Sequence, residues 1–196
     1  MEMWQSFMVT RRLFIILVGF FILIATNNFL EKICMAKEQN SIKTKITDRK
    51  LNFFLVEPSI KPSLLISVPL SKITFAKEPF FTSDDMIAYN NKNHTFMLRN
   101  KIYGKFRKLD IPVFGRAFVV AVDRSPIYWG VFWSGFSSVS FEGVVIVQPF
   151  SETNEELKIQ LGYPNENFFR GKDPRGNPEI LEIIERSLGN IENGTQ

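Results

Sequence analysis

Residues 116–149, RAFVVAVDRSPIYWGVFWSGFSSVSFEGVVIVQP, decide how this chain is read. The run Ala117–Val122 is apolar at every position, which predicts a strand covered on both faces. Asp123-Arg124-Ser125-Pro126 reads as a turn, because Asp bonds its own backbone and Pro interrupts a ladder. Ile127–Trp133 then returns as the second arm of a hairpin. At a period of two, Ile127, Trp129, Val131 and Trp133 share one face, and Tyr128, Gly130 and Phe132 the other. A glycine at 130, in mid-strand, predicts a bulge or a close approach by another group. Ser134–Ser140 reads as a loop and Gly143–Gln148 as another buried strand.

Upstream, Leu51–Val56, Leu64–Val68 and Lys72–Ala76 are short apolar runs cut by Pro58, Pro62, Pro69 and Pro79. Strands separated by proline turns fit that punctuation. Thr82–Asp85 followed by Met86–Tyr89 reads as a single helical turn capped by Ser83. His94–Leu98 reads as a strand, and Asn100–Leu109 as a short helix with Ile102, Phe106 and Leu109 on one side. Downstream, Leu157–Leu161 alternates as a half-buried strand after a polar turn over 151–156. Residues 162–177 form a long irregular loop. Asn177-Pro178 opens a helix through about Leu188 with Ile180, Leu181, Ile184 and Leu188 on one stripe. The class expected is α+β: an antiparallel sheet of about five strands with two packed helices.

The ends are organised differently. Arg11-Arg12 is followed by an uncharged run, Leu13–Ala25, shorter than the roughly 20 residues that span a bilayer. It fits a cleaved signal peptide, and equally an anchor if the helix continues through Leu30. Residues 1–36 are therefore read as signal or anchor, 37–50 as a polar basic linker, and 51–196 as one extracytoplasmic domain. Net charge is +4, a modest field suited to an anionic membrane or envelope surface. Cys34 is the only cysteine, which excludes an intramolecular disulfide and zinc sites built on paired cysteines. Phe is abundant at 20 residues, so aromatic area should dominate the core.

The segments FVVAVDRSPIYWGVFWSGFSS, VVIVQP, LGYP, DPR and PEILEIIERSLG resemble a family of small exported bacterial proteins, many of them lipoproteins, with no assigned activity. The matched region runs from about Glu78 to Gly189. The hairpin FVVAVD–PIYWGVF is also similar to the head subdomain of the first periplasmic domain of the SecD translocation protein. This chain departs from both, with Arg124-Ser125 where glycine is usual and no lipobox before Cys34. The resemblance implies a ferredoxin-like arrangement outside the cytoplasm, and no catalytic residue.

Motifs for phosphate, dinucleotide, zinc-protease and nucleophile-elbow chemistry are absent from the sequence. The single histidine, His94, could meet Asp84 and Asp85 across a turn, although a capping role suits those carboxylates better. Trp129/Trp133 and Tyr128/Phe132 are either core or a partly open aromatic platform, with Ser134 at its rim. Asp173-Pro174-Arg175 is either an ion pair ordering its loop or an anion-binding arginine. The candidate ligand-binding residues are thus His94, Tyr128, Trp133, Ser134, Asp173 and Arg175. No metal or cofactor is expected. The basic helix around Arg99–Lys108 belongs to no nucleic-acid module, so no nucleic-acid partner is expected.

Three functions remain open on the sequence. The first is an exported, non-enzymatic envelope module that binds a protein, peptide or cell-surface ligand and is secreted or membrane-anchored through its N-terminal segment. The second is an accessory subunit of a translocase-like membrane complex. The third is a hydrolase or metal-assisted enzyme using His94, Ser134 and Asp84.

Overall fold

The computed structural model describes residues 49–149 and 156–193, together with Lys32, Met35 and Lys37, which are helical. The expected leader, Cys34, most of the basic linker and most of the 151–156 turn lie outside the described residues. The chain divides into two compact units, 1–48 and 49–196, and the second carries the sheet. Among the described residues no helix is long and apolar enough to cross a membrane.

Eight strands build that unit: β1 (Leu51–Leu55), β2 (Phe81–Thr82), β3 (Met86–Asn90), β4 (Thr95–Leu98), β5 (Arg116–Val122), β6 (Ser125–Trp133), β7 (Phe141–Val147) and β8 (Leu157–Tyr163). Two helices accompany them, α1 (Asn100–Lys108) and α2 (Pro178–Asn193). The strand order is β2-β1-β5-β6-β7-β8-β4-β3. The β6–β7 pair is parallel and the other pairs are antiparallel. The sheet curls into a half-barrel.

This overturns the expectation of a five-stranded, ferredoxin-like antiparallel sheet with two packed helices. Three local features account for the error. Thr82, not Ser83, is the cap: its Oγ1 accepts from the Asp84 N–H at 3.2 Å, while Asp85 accepts from the Thr82 N–H at 3.0 Å. That box closes a 3-10 turn over Ser83–Asp85, and Met86–Asn90 continues as a strand, not a helix. The runs at 64–68 and 72–76 form no strands; 3-10 turns occupy 62–64 and 70–72 and a lone bridge joins Phe75 to Val56. Third, the loop after β6 is an extended crossover. Trp133 pairs with Val147, so the chain must travel back about 20 Å before β7 begins. Eight links reach about 26 Å, enough to do it without a helix.

The β5–β6 hairpin turns on Asp123 and Arg124, with Asp123 left-handed at φ 54°, a conformation its short polar side chain tolerates. The register slips between Val120 and Ala121, opposite Ile127. That bulge moves Ile127 to the Tyr128 side of the sheet, away from Trp129.

Both faces are covered, which is why AFVVAV has no polar position. Phe118, Val120 and Val122 enter the concave core with Phe53, Phe81 and Phe132. Helix α1 adds Ile102, Tyr103 and Phe106 there, and α2 adds Ile180, Ile183 and Ile184. Phe132 stacks on Phe118 at 4.5 Å and meets the Phe106 ring edge at 5.0 Å. Such pairs contribute about 0.5–1.5 kcal/mol beyond area burial. Ala117, Val119 and Ala121 face the convex core with Phe54, Val131 and Trp133. The 56–76 segment covers that side, held by Arg124, whose guanidinium lies 4.9 Å from both the Phe54 and Phe75 rings and donates to the Lys77 carbonyl. Helix α2 packs on both β1 and β3, so it spans the opening between the two margins of the curl.

Candidate functional site

The long loop before α2 is fixed at several points. Gly162 is left-handed at φ 71°, and a Cβ there would lie 2.7 Å from the Phe169 nitrogen, so only glycine fits. The Asn165 side chain then accepts from the Asn167 N–H and starts a 3-10 turn over Glu166–Phe168. The Arg170 N–H donates to the Glu142 carbonyl at 2.9 Å, tying the loop to β7. Arg175 is buried. Its Nε and Nη2 donate to the Asp173 carboxylate at 2.8–3.2 Å, and its Nη1 donates to the Ile159 carbonyl at 2.9 Å. The Arg175 hydrogen bonds hold the Asp173 carboxyl below the usual carboxylate range.

Ile159 also donates its N–H to the His94 carbonyl at 2.9 Å, so one β8 residue joins Arg175 to the β3–β4 turn. His94 is left-handed at φ 55°, and its Nδ1 lies 3.1 Å from the Tyr89 hydroxyl. Burial first, and the Arg175 charge second, push the imidazole pKa down. Burial pushes the Tyr89 phenol up. It pushes the Tyr128 phenol up too, with the Tyr89 charge adding to it. At neutral pH the cluster therefore holds one ion pair and three neutral groups. That chemistry suits a polar lock across the curl better than proton transfer.

The structure brings His94, Tyr128, Asp173 and Arg175 into this one electrostatic cluster. Trp133 and Ser134 are elsewhere. Trp133 is buried in the convex core, stacked on Phe141 at 5.5 Å, and its Nε1 has no partner among the described residues. Ser134 begins the crossover and accepts from the Phe136 N–H. Ser134 follows β6, which lies three strands from β4 in the sheet order, and among the described residues it makes no bond to His94. Asp84 pairs with Lys50, and Asp85 with Lys101 at 2.7 Å. Both sit at the far end of the β3–β4 hairpin, about 13 Å along it from His94. The set His94, Ser134 and Asp84 is not assembled. No group of three or more metal-ligating side chains occurs among the described residues.

What the arrangement does offer is a groove. Strand β6 pairs with β5 from Ser125 onward, but with β7 only from Gly130, which faces Val144. A Cβ on Gly130 would lie 2.8 Å from the Val144 oxygen, so this closest pairing needs a residue without one. Before that point a hollow of about 360 Å³ opens between Ile127–Trp129 and Phe141–Val144. Ile66, Leu70 and Phe169 add apolar wall, and Arg170, Lys172 and Glu142 form the rim. A neighbouring hollow of about 420 Å³ shares Ile127, Lys172 and Pro174 and reaches Asp173 and Asn177. Among the described residues neither Arg170 nor Lys172 pairs with a carboxylate. Arg170 donates instead to the Asn167 and Phe169 carbonyls.

Of the residues singled out from sequence, Tyr128 lines the first hollow and Asp173 the second. Trp129, weighed with Trp133 as part of an aromatic platform, also lines the first hollow, whereas Phe169, Arg170 and Lys172 were missed. The signal for them was present, two cations flanking Gly171 directly before Asp173-Pro174-Arg175. No protein-family model matches the chain, and no curated protein or solved structure matches it.

Proposed function

We propose that this chain is an exported, non-catalytic binding module whose ligand combines an apolar body with negative charge. One observation carries the reading: an apolar groove whose rim holds two cations against the single carboxylate of Glu142, neither cation paired with a carboxylate among the described residues, beside a loop fixed by Arg175. Aromatic and branched walls supply non-directional attraction, and Arg170 and Lys172 choose the sign of the ligand. A preformed loop spares the ligand the entropy of ordering it. The separation of His94 from Ser134 and Asp84 favours binding over catalysis. Export is supported by Arg11-Arg12 and the uncharged run that follows.

Two measurements test the reading in cells that make the protein. A C-terminal reporter that is active only outside the cytoplasm should be active. A photo-crosslinking residue in place of Ile66, on the groove wall, should give an adduct that disappears when Arg170 and Lys172 are both reversed to Glu. The same probe in place of Lys108, on α1, should give none. A silent reporter, or equal labelling from both positions, would refute it.

A further inference from the structure

Resting on that reading, we infer that the groove takes an extended acidic peptide, received by strand pairing in the fork between β6 and β7. The two strands are hydrogen-bonded from Gly130 and Val144 onward and not before. On the side facing β7, the backbone of Ile127–Trp129 has no strand neighbour among the described residues, and the same holds for Phe141–Gly143 on the side facing β6. Among the described residues one main-chain bond reaches this gap, which the Glu142 carbonyl accepts from the Arg170 N–H at 2.9 Å.

Main-chain amides and carbonyls are obligatory hydrogen-bonding groups. A ligand that excluded water from the fork without replacing those bonds would leave them unsatisfied, at about 1–3 kcal/mol for each group. An alkyl chain does that, whereas a peptide backbone presents donors and acceptors at the strand repeat. Three residues on each wall, at about 3.3 Å apiece, match a core of three or four peptide residues. Alternate side chains of such a peptide would meet Trp129 and Phe141, whose rings already contact each other edge-on at 5.9 Å. Its acidic side chain or C-terminal carboxylate would meet Lys172 and the Arg170 guanidinium.

The test pans a displayed library of randomised linear peptides against the full chain held in lipid nanodiscs, with decanoate as a second probe. Peptides that pair an acidic residue with an aromatic or branched one should be enriched. Binding of an enriched peptide should weaken at least tenfold when its backbone is N-methylated on alternate residues. It should weaken at least tenfold against Lys172→Glu, and further against the Arg170→Glu/Lys172→Glu double variant. Both variants are surface changes whose folding is checked by thermal melting, and the single one suffices if the double fails. Amide resonances of 127–129 and 141–143 should move on binding. Enriched peptides indifferent to N-methylation or to charge reversal overturn the inference. If decanoate moves those resonances and no peptide is enriched, the peptide assignment falls while the binding-module reading stands. If neither probe moves them, both fall.

Discussion

Arg175→Met removes the group that fastens the 162–177 loop to the sheet while keeping most of its apolar stem. Two losses add up. The Ile159 carbonyl loses a charged donor at 2.9 Å in a buried setting, which costs about 1–3 kcal/mol. The Asp173 pair counts for less, because the Asp173 side chain is 41% exposed; about 1 kcal/mol is an upper figure for it. The expected destabilisation is about 1–4 kcal/mol, or a fall in Tm of about 3–15 °C for a unit of this size. Asp173→Asn keeps an acceptor and should cost under about 1.5 kcal/mol. Arg175→Lys should not rescue, since an ammonium cannot bridge a carboxylate and the Ile159 carbonyl as a planar fork does. There is also a pH arm. The Asp173 carboxyl is depressed in the folded state, chiefly by its Arg175 hydrogen bonds, so its contribution is present above the unfolded value and lost as pH falls through the folded one. Urea melts from pH 5 to pH 2 should therefore be shallower in pH for Arg175→Met than for the parent. A loss below about 0.5 kcal/mol with an unchanged pH slope would refute the assignment of Arg175 as the lock.

Three other outcomes follow from the same geometry. His94→Asn keeps a residue tolerant of the left-handed region and removes the titration. Because the folded imidazole is depressed, the parent should lose stability as pH falls below about 6.5, and the variant should be flatter there in a melting series. Gly130→Ala drives a Cβ to 2.7 Å from the Phe118 ring and 2.8 Å from the Val144 oxygen, so about 1–3 kcal/mol should be lost in denaturant titration. Thr82→Ala breaks the capping box before β3 and should cost about 1 kcal/mol by the same method.

The parts legible in the sequence were those whose neighbours are local. The β5–β6 hairpin is declared by a doubly apolar run, a polar turn and a return run, but the turn is tighter than read: it is Asp123-Arg124, Ser125 and Pro126 already belong to β6, and a bulge sits at Ile127. Helices α1 and α2 announce themselves by stripe, as do β7 and β8 by apolar content and alternation. What stayed hidden depends on distant partners. β2 is two residues long and exists only because β1 lies beside it. Met86–Asn90 follows an acidic capping box that sequence reasoning extends into a helix, yet pairing with β4 makes it a strand. The parallel return of β7 leaves no local mark, since seven residues of Ser- and Gly-rich chain read as an ordinary loop. The site divided on the same line. Asp173-Arg175 was visible as a pair two residues apart, but its bond to Ile159 was not. Trp133 could be read as core or platform and is core, because its face of β6 packs with residues of the 56–76 segment and with Phe141.

The most direct test is residue-resolved amide hydrogen exchange on the full chain in nanodiscs, with and without an enriched acidic peptide. Without peptide, protection should be high across Val131–Trp133 and Val145–Val147 and low across Phe141–Gly143 on the β6-facing side. With peptide, the unprotected amides of the fork should slow at least tenfold. Uniform protection on both sides of Gly130 in the free protein, or no slowing with bound peptide, would contradict an open fork that receives a strand.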